Sequence, residues 1–395
     1  MKKDDHGFGT KAVHAGEDGG FAFNPASTPI YQTSTFFFEG AEEGGDVQGG
    51  EKEGFLYTRV GNPTVKAFED KMALLEGGGY AVAFSSGMAA VSAVLLEMLR
   101  PGDEVISSSR IYGGSKKFFE HILGNLGCPV KYFVPYESLR RTISALITPK
   151  TKLIFFETPS NPELSIIEIR LIADLARRYR LLSVIDSTFA TPYLQRPLEQ
   201  GIDCVIHSAT KYIGGHGDAI GGVVISSENF ISLLRANMLL NLGACLSPFN
   251  AWLFLRGLKT LHIRMEHHCK TAGKVAEFLR ARRKVIEVLY PGLRNHPGHD
   301  IAKRQMSGFG GVVSIRLGSG STCRRFVNKL GLCRIGVSLG DAATLVLHPA
   351  SLFAPKVTDA GCRKIGIDPT LIRISTGLED AEDIIADLKG ALSAL

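Results

Sequence analysis

The chain lacks a long apolar run, and its longest unbroken apolar stretches are far shorter than the span of a bilayer. A membrane-spanning helix needs about 20 predominantly apolar residues, so the sequence predicts no such helix and no membrane partner. The charged first residues are not followed by the apolar segment of a secretory signal. We therefore expect a cytoplasmic protein.

Cysteine pairs are also absent, because the seven cysteines are scattered and none forms a Cys-x-x-Cys motif. An odd, dispersed set argues against a disulfide framework and against a structural zinc site. His267, His268 and Cys269 are adjacent, so their side chains would point to different faces of a helix rather than at one ion. The sequence predicts no metal site.

A strong charge of one sign is missing as well. The 45 lysines and arginines exceed the 39 acidic residues by only six, and the two signs are interspersed. The densest basic run, Arg282-Arg283-Lys284, is short and is typical of a solvated helix end. We expect no nucleic-acid partner.

Glycine, in contrast, is abundant, with 44 residues in a chain of 395. Several glycines form pairs within residues 1–61, a segment without sustained hydrophobic periodicity. This composition favours an extended arm with turns. An arm of this length usually packs on something, so we expect residues 1–61 to contact a neighbouring subunit.

From residue 62 onward, short apolar strands alternate with amphipathic helices. This alternation predicts right-handed βαβ units and a mostly parallel sheet flanked by helices over residues 62–255. A helical segment over residues 247–282 leads to a smaller C-terminal α/β domain, residues 256–395. The predicted strands are 80–84, 104–107, 130–134, 153–156, 181–185, 204–207 and 222–225, then 285–289, 311–317 and 371–375.

Two ionisable residues follow neighbouring strands of the predicted sheet. Asp186 ends the buried-strand pattern 181–185, and Lys211 lies shortly after the next strand, 204–207. Ligands of parallel sheets bind at the carboxyl ends of the strands, so both side chains should face one crevice. From these two residues alone, a simple salt bridge is an equally good interpretation.

A possible anion site lies where the strand 80–84 runs through small residues into a helix. Free N–H groups at a helix start, with no bulky side chain at Gly87, can bind a phosphate. The hydroxyls of Ser208 and Thr210, beside Lys211, could close the same site. Small residues at such a junction also serve as simple helix caps, so this signal is weak by itself.

Together, a phosphate cradle, a crevice carboxylate and a crevice lysine are typical of a pyridoxal-phosphate site. Lys211 would form the Schiff base, and Asp186 would keep the pyridinium nitrogen protonated. Tyr112, at the start of a predicted helix, could provide the aromatic face that stacks on the cofactor ring.

Five segments resemble signatures of the Cys/Met-metabolism family of fold-type I pyridoxal-phosphate enzymes. They occur in chain order, and the similarity extends over about residues 8–394. The segments are 57–64 (YTRVGNPT), 86–88 (SGM), 186–188 (DST), 208–218 (SATKYIGGHGD) and 371–380 (LIRISTGLED).

The resemblance implies an α/β fold of the aspartate-aminotransferase type and bound pyridoxal 5′-phosphate. It implies a homotetramer built from two active dimers, in which Tyr57 and Arg59 reach the phosphate of the neighbouring subunit. The implied catalytic residues are Lys211, Tyr112 and Asp186. The implied cofactor-binding residues are Tyr57, Arg59, Gly87, Met88, Tyr112, Asn161, Asp186, Ser208, Thr210 and Lys211, and the implied substrate-binding residues are Asn161, Ser338 and Arg373.

Members of this family differ mainly around the distal end of the substrate. Segments 337–341 and 348–351 most resemble methionine γ-lyases, and Val337 and Leu56 stand at positions that are acidic in other members. An apolar distal pocket suits a thioether methyl group. The resemblance therefore implies α,γ-elimination of L-methionine and related sulfur amino acids to 2-oxobutyrate, ammonia and a thiol.

Three departures keep other activities open. Gly114 stands where methionine γ-lyases usually carry cysteine, Lys117 lies where cystathionine γ-lyases place a basic residue, and segment 241–250 resembles sulfhydrylases. The alternatives are an O-acetylhomoserine sulfhydrylase and a cystathionine γ-lyase or γ-synthase. A non-enzymatic binding module is a further alternative, but such a chain should have lost Lys211, Asp186 or Arg373.

Overall fold

The computed structural model describes residues 6–17, 21–136, 138–364 and 366–395. The N-terminal segment is not wholly extended as predicted, because it contains two short helices, α1 (Phe8–His14) and α2 (Ala41–Gly49). Lys71, fully buried, stabilises the end of α1 by donating to the carbonyl of Ala12 at 3.1 Å and pairing with Glu17 at 2.5 Å. The glycine pair at 19–20 lies outside the described residues.

The larger sheet has seven strands in the order β1-β7-β6-β5-β4-β2-β3, and only β7 runs against its neighbours. All strands predicted for this part of the chain are present, so the expected mostly parallel sheet is confirmed. The strands are β1 (Tyr80–Phe84), β2 (Glu104–Ser108), β3 (Val130–Phe133), β4 (Thr151–Glu157), β5 (Leu182–Asp186), β6 (Cys204–His207) and β7 (Gly222–Ser226).

Helices cover both faces of this sheet. Successive residues of a strand point to opposite faces, and β5 therefore divides its side chains between two cores. Val184 packs in one core with Val91, whereas Ile185 packs in the other with Ile172. Both faces of the sheet are buried under helices, which explains why these strands are almost continuously apolar.

Helices alternate with the strands of the larger sheet, as the sequence predicts. The helix that begins at Gly113 continues into a π-helical turn over Phe118–Leu123. The helices up to the end of this region are α3 (Pro63–Leu75), α4 (Gly87–Met98), α5 (Gly113–Lys117), α6 (Leu139–Leu146), α7 (Ile169–Tyr179), α8 (Thr191–Leu194), α9 (Glu228–Leu233), α10 (Leu240–Leu242) and α11 (Pro248–Leu258).

The helical segment predicted over 247–282 is divided into α11 and α12 (Leu261–Arg280). At the break, the guanidinium of Arg264 donates to the carbonyl of Gly257 at 2.6 Å and so ties α12 to the end of α11. Gly257 also lies against the chain after β6, where a Cβ would approach the carbonyl oxygens of Ile213 and Gly214 to 2.5 Å. The close contact explains the glycine at this position.

A smaller, mostly antiparallel sheet follows in the order β10-β11-β12-β9-β8. The strands are β8 (Glu287–Leu289), β9 (Val312–Arg316), β10 (Arg334–Ile335), β11 (Leu345–Leu347) and β12 (Leu371–Ser375). The sequence analysis missed β10 and β11, which are too short to show an alternating pattern. The remaining helices are α13 (His299–Gln305), α14 (Gly320–Val327), α15 (Pro349–Phe353), α16 (Asp359–Lys364) and α17 (Ala381–Ser393).

Apolar contacts join the two sheets into one body. A core cluster contains Phe68 of α3, Phe254 of α11, Met265 of α12 and Val312 of β9. The rings of Phe68 and Phe254 lie 5.4 Å apart. In the part of the chain that the structure describes, no helix combines the length and apolarity needed to cross a membrane.

His268 of α12 is fully buried where α12 packs against two other segments of the chain. Its Nδ1–H donates to the carbonyl of Thr376 at 2.8 Å, and its ring lies edge-on to Tyr212 at 5.1 Å. Burial lowers the pKa of His268 to about 4, and the nearby charges of Arg264 and His267 act in the same direction. The folded protein therefore holds His268 in its neutral form.

This histidine predicts a loss of stability in mild acid. Between about pH 6.5 and about pH 4 the unfolded chain binds a proton that the folded chain refuses, so stability falls as the pH falls through this window. The contribution of one such group is on the order of 3 kcal/mol. His268→Asn, which retains a donor for Thr376, should reduce the pH dependence of the thermal unfolding midpoint.

The matched control is His121→Asn, because His121 is exposed on the π-helical turn over Phe118–Leu123 and is not among the groups that shift the pKa of His268. This variant should keep the wild-type pH dependence. An unchanged slope in His268→Asn would contradict the assignment.

Candidate active site

The carboxyl ends of β4, β5 and β6 bring Glu157, Asp186 and Lys211 to one edge of the larger sheet. Glu157 ends β4 and Asp186 ends β5, and the two residues are direct neighbours in the sheet register. Lys211 follows β6 after a short turn, in which its N–H donates to the carbonyl of Ser208 at 3.2 Å. The sheet thus places the predicted Asp186 and Lys211 at one edge, as their positions after neighbouring strands indicate.

Asp186 is held by the turn that follows β5. Its Oδ1 accepts the N–H of Thr188 at 3.0 Å. Burial raises the pKa of Asp186, while the Thr188 hydrogen bonds and the nearby His207 and Lys211 favour its ionised form. A carboxylate in this position is best stabilised by a cationic or proton-bearing group in the crevice.

Lys211 lies between Asp186 and residues of the C-terminal part of the chain. Its Nζ donates to the hydroxyl of Ser338 at 3.0 Å. Burial and the positive charge of Arg373 lower the pKa of Lys211, and Asp186 opposes this effect. The site therefore favours the neutral amine, which is the nucleophilic and proton-accepting form.

The start of α4 forms a cradle for an anion. The hydroxyl of Ser86 accepts the N–H of Ala89 at 3.1 Å, whereas the N–H groups of Gly87 and Met88 meet no acceptor in the described ranges. A Cβ at Gly87 would lie 2.8 Å from the Cβ of Ser208, so only glycine fits this contact. Two free N–H groups at a helix start, bordered by a serine, suit a phosphate.

Thr210 is near this cradle but its hydroxyl is already engaged. The hydroxyl donates to the carbonyl of Gly221 at 3.2 Å and accepts the Gly221 N–H at 3.1 Å. This pair closes the turn after β6. The single hydroxyl hydrogen of Thr210 is thus already used. Thr210 could donate to a phosphate only if this hydrogen turned away from the Gly221 carbonyl.

Tyr112 lies at the start of α5, and its ring is 46% exposed. Its N–H donates to Oε1 of Glu157 at 2.6 Å. The ring leans over Gly114, where a Cβ would approach the Tyr112 Cε1 to 2.4 Å. In this position of the ring, residue 114 has no room for a side chain.

Arg373 of β12 is 2% exposed and borders the crevice from the smaller sheet. Its Nη1 donates to Oδ1 of Asn161 at 3.1 Å, and its Nη2 donates to the carbonyls of Ser338 at 2.7 Å and Val337 at 3.1 Å. Its buried Nε has no partner in the described chain. This unmet donor and the fixed guanidinium plane suit a carboxylate ligand.

Tyr57 and Arg59 stand apart from these contacts. Tyr57 is 45% exposed, and the guanidinium of Arg59 lies over its ring, 5.6 Å from the ring centre. Arg59 also donates to the carbonyl of Leu240. Among the hydrogen bonds and ring contacts that the structure describes, none joins Tyr57 or Arg59 to Lys211 of the same chain.

Glu157 is a residue of this site that the sequence analysis missed. The predicted strand 153–156 stops one residue short of it, although an acid directly after a buried strand is the same signal that identified Asp186. Asn161, which the resemblance did imply, follows Glu157 and donates its N–H to Oε2 of Glu157 at 3.4 Å.

The arrangement fits pyridoxal phosphate. The phosphate would bind the free N–H groups of Gly87 and Met88, and a ring nitrogen that carries a proton would meet the half-buried Asp186. Lys211, as a neutral amine, could bond to the aldehyde carbon. The unmet Nε of Arg373 leaves a donor for the carboxylate of an amino acid.

Comparisons with known proteins agree with this interpretation. Residues 9–393 match the family described as Cys/Met metabolism PLP-dependent enzyme. An L-methionine γ-lyase of Fusobacterium nucleatum subsp. polymorphum is 44% identical, with 100% of both chains covered. A cystathionine β-lyase of Lactococcus lactis subsp. cremoris is 40% identical, with 97% of this chain and 98% of the relative covered.

A solved structure from Campylobacter jejuni, which contains N′-pyridoxyl-lysine-5′-monophosphate, has a TM-score of 0.92. It is 32% identical and covers 98% of this chain and 100% of its own. The resemblance found in the sequence is thus confirmed, and so is the expected cofactor. The chain belongs to the Cys/Met-metabolism family of pyridoxal-phosphate-dependent enzymes.

Proposed function

We propose that the protein eliminates the thiol from L-methionine and related sulfur amino acids, which gives 2-oxobutyrate, ammonia and a thiol. The observation that carries the proposal is that Lys211 and Arg373 both donate to Ser338, Lys211 to its hydroxyl and Arg373 to its carbonyl. The Nε of Arg373 has no partner in the described chain. A neutral amine beside a carboxylate clamp is what chemistry at the α-carbon of an amino acid requires. The methionine γ-lyases of F. nucleatum and of Pseudomonas putida, 44% and 42% identical, support this choice of substrate.

The cofactor would be held by the residues at the carboxyl ends of the strands. Bound pyridoxal phosphate supplies the electron sink that stabilises negative charge at the substrate's α-carbon. Gly87 and Met88 would bind its phosphate by their N–H groups, and Ser208 would add a hydroxyl. Thr210 would add another once its hydrogen turned away from the Gly221 carbonyl. Asp186 would hold a proton on the ring nitrogen by its negative charge.

Lys211 and Tyr112 would move the protons. Burial and the charge of Arg373 lower the pKa of Lys211, which favours the neutral Nζ that would take a proton from Cα and deliver it elsewhere on the substrate. Tyr112, with its ring partly exposed at the crevice, would stack on the cofactor and protonate the departing sulfur.

The substrate's two ends would meet different surroundings. Arg373, Asn161 and Ser338 would bind the α-carboxylate, with Arg373 fixed by the hydrogen bonds described above. At the distal end would lie the side chain of Val337, which is 63% exposed. Leu56 would reach the same end from the arm, and the two apolar side chains would favour the methyl thioether of methionine over a charged distal group.

The alternatives remain an O-acetylhomoserine sulfhydrylase and a cystathionine γ-lyase or γ-synthase. The contact that favours a different activity is that of Tyr112 with Gly114, since the ring occupies the space that a cysteine side chain would fill. The relative from L. lactis named a cystathionine β-lyase is consistent with activity toward other sulfur substrates.

We also propose that the active unit is a dimer within a homotetramer in the cytoplasm. The arm of residues 1–61, ahead of a cofactor domain of 62–255 and a C-terminal domain of 256–395, would lie on a neighbouring subunit. Phe37 is 97% exposed in the single chain, which is unfavourable unless another surface covers it. Tyr57 and Arg59 would then reach the phosphate in the neighbouring site.

The proposed activity predicts how the protein divides its turnover among substrates. One preparation is offered methionine, cystathionine, and O-acetylhomoserine with sulfide, and 2-oxobutyrate and homocysteine are measured. We expect 2-oxobutyrate from methionine without any added thiol, because the apolar distal surface accepts the thioether. Homocysteine from the ester at a much higher rate would instead identify a sulfhydrylase.

The carboxylate clamp predicts a specific loss in Arg373→Lys. A lysine keeps the positive charge but cannot offer the planar fork of donors. We expect KM for the amino acid to rise by about tenfold to a hundredfold, in line with about 1.5–3 kcal/mol for a charge-assisted hydrogen bond. Arg334→Lys, on the exposed strand β10, is the control and should leave KM unchanged. An unaltered KM in Arg373→Lys would contradict the clamp.

The shared site predicts complementation between two inactive variants. In a mixed dimer of Arg59→Ala and Lys211→Ala subunits, one site combines an intact Lys211 with an intact Arg59 from its neighbour. Random mixing should restore about a quarter of the wild-type activity, because half of the dimers are mixed and each has one intact site. If Arg59 served the site of its own chain, mixing would restore nothing.

A further inference from the structure

The carboxyl group of Glu157 is buried in the active site but has no role in the chemistry proposed above. The residue is 4% exposed and lies at the carboxyl end of β4, directly beside Asp186 in the sheet. A buried acid is costly unless its oxygens are satisfied, so its partners indicate why it is there.

Each oxygen of Glu157 accepts a backbone N–H from a different loop. Oε1 accepts the N–H of Tyr112 at 2.6 Å, and Oε2 accepts that of Asn161 at 3.4 Å. These are the residues that would stack on the cofactor and contact the substrate. One carboxyl group thus connects the loop after β2 with the loop after β4.

Both loops depend on this connection. Tyr112 lies at the N-cap position of α5 without a capping hydrogen bond from its own side chain, so its backbone is fixed from outside the helix. Asn161 in turn accepts from Nη1 of Arg373 at 3.1 Å and helps to orient the guanidinium. A shift of the Glu157 carboxyl group would move the tyrosine ring and the carboxylate clamp together.

We propose that Glu157 is a positioning residue, whose carboxyl oxygens set the Tyr112 ring and the Asn161 side chain for catalysis through their backbones. The effect of Glu157 on catalysis rests on the proposed function, but its effect on the position of Tyr112 can be tested without turnover. Glu157 would act through the distance between its backbone and its acceptor oxygens, and not through a negative charge.

The electrostatics support this assignment. Burial and the neighbouring Asp186 raise the pKa of Glu157 well above its usual range, so the uncharged carboxyl group is favoured. A neutral carboxyl group has one strong acceptor, its carbonyl oxygen, and one weaker one. The unequal distances to Tyr112 and Asn161 agree with that pattern, and a neutral Glu157 leaves Asp186 free to be the crevice anion.

Two variants of the holoenzyme separate reach from charge. Glu157→Gln keeps one acceptor oxygen at the same reach for the short hydrogen bond from Tyr112 and gives up only the longer one from Asn161, whereas Glu157→Asp keeps the carboxyl group and shortens its reach by one methylene. We expect Glu157→Asp to lower kcat by about tenfold or more, equivalent to about 1.4 kcal/mol, and to raise KM. Glu157→Gln should retain kcat within about threefold of the wild type.

Two readouts do not require turnover. Hydrogen exchange of the peptide that contains Tyr112 should be faster in Glu157→Asp and unchanged in Glu157→Gln. The visible circular dichroism of the bound cofactor, which reports how the ring is held, should change only in the aspartate variant. The control is Asp203→Asn, because Asp203 also accepts a strand N–H, that of Ser183 at 2.9 Å, but lies at the opposite end of β5. It should alter none of these quantities.

The outcomes are distinct. A glutamine variant as impaired as the aspartate variant, or more so, would show that reach does not govern the effect and would overturn the proposal. Wild-type exchange and dichroism in Glu157→Asp would overturn it as well. If the wild-type enzyme turned over neither methionine nor the alternative substrates, the proposed function would fail, while the exchange and dichroism measurements would still decide the role of Glu157.

Discussion

The active crevice depends on the burial of opposite charges at the edge where two sheets meet. Asp186 and Glu157 end adjacent strands of the larger sheet, and Arg373 enters from the smaller one. Lys211 lies between them and is held by Ser338 at 3.0 Å. Burial and the neighbouring charges lower the pKa of Lys211, which favours its neutral amine, and burial raises the pKa of Asp186, whose ionised form therefore needs a cationic or proton-bearing partner in the crevice.

Most other features of the fold serve this arrangement. The parallel strands align their carboxyl ends, the helix start at Gly87 offers free N–H groups to a phosphate, and the core around Met265 and Val312 fixes one sheet against the other. Because Arg373 donates to Asn161 at 3.1 Å, the proposed substrate clamp joins residues from both parts of the chain. A change of their relative position would therefore disturb this clamp.

The sequence predicted those parts of the site that follow long, regular elements. Asp186 and Lys211 were found because each comes after a strongly apolar strand, and Gly87 because small residues join a strand to a helix. Glu157 was missed, since the predicted strand ended one residue early. Strands β10 and β11 are too short for periodicity, and the break between α11 and α12 depends on the distant contact of Gly257 with the chain after β6. The proposed place of Tyr57 and Arg59 at a neighbouring phosphate would depend on a second subunit, which no local pattern describes.

The central claim is that these charges surround a cofactor bonded to Lys211. Reduction of the holoenzyme with borohydride would fix the cofactor on its lysine, and peptide mapping by mass spectrometry would locate it. We expect the added pyridoxyl phosphate mass on the peptide that contains Lys211 and on no other. A label on a different lysine, or a holoenzyme that acquires no label, would contradict the account.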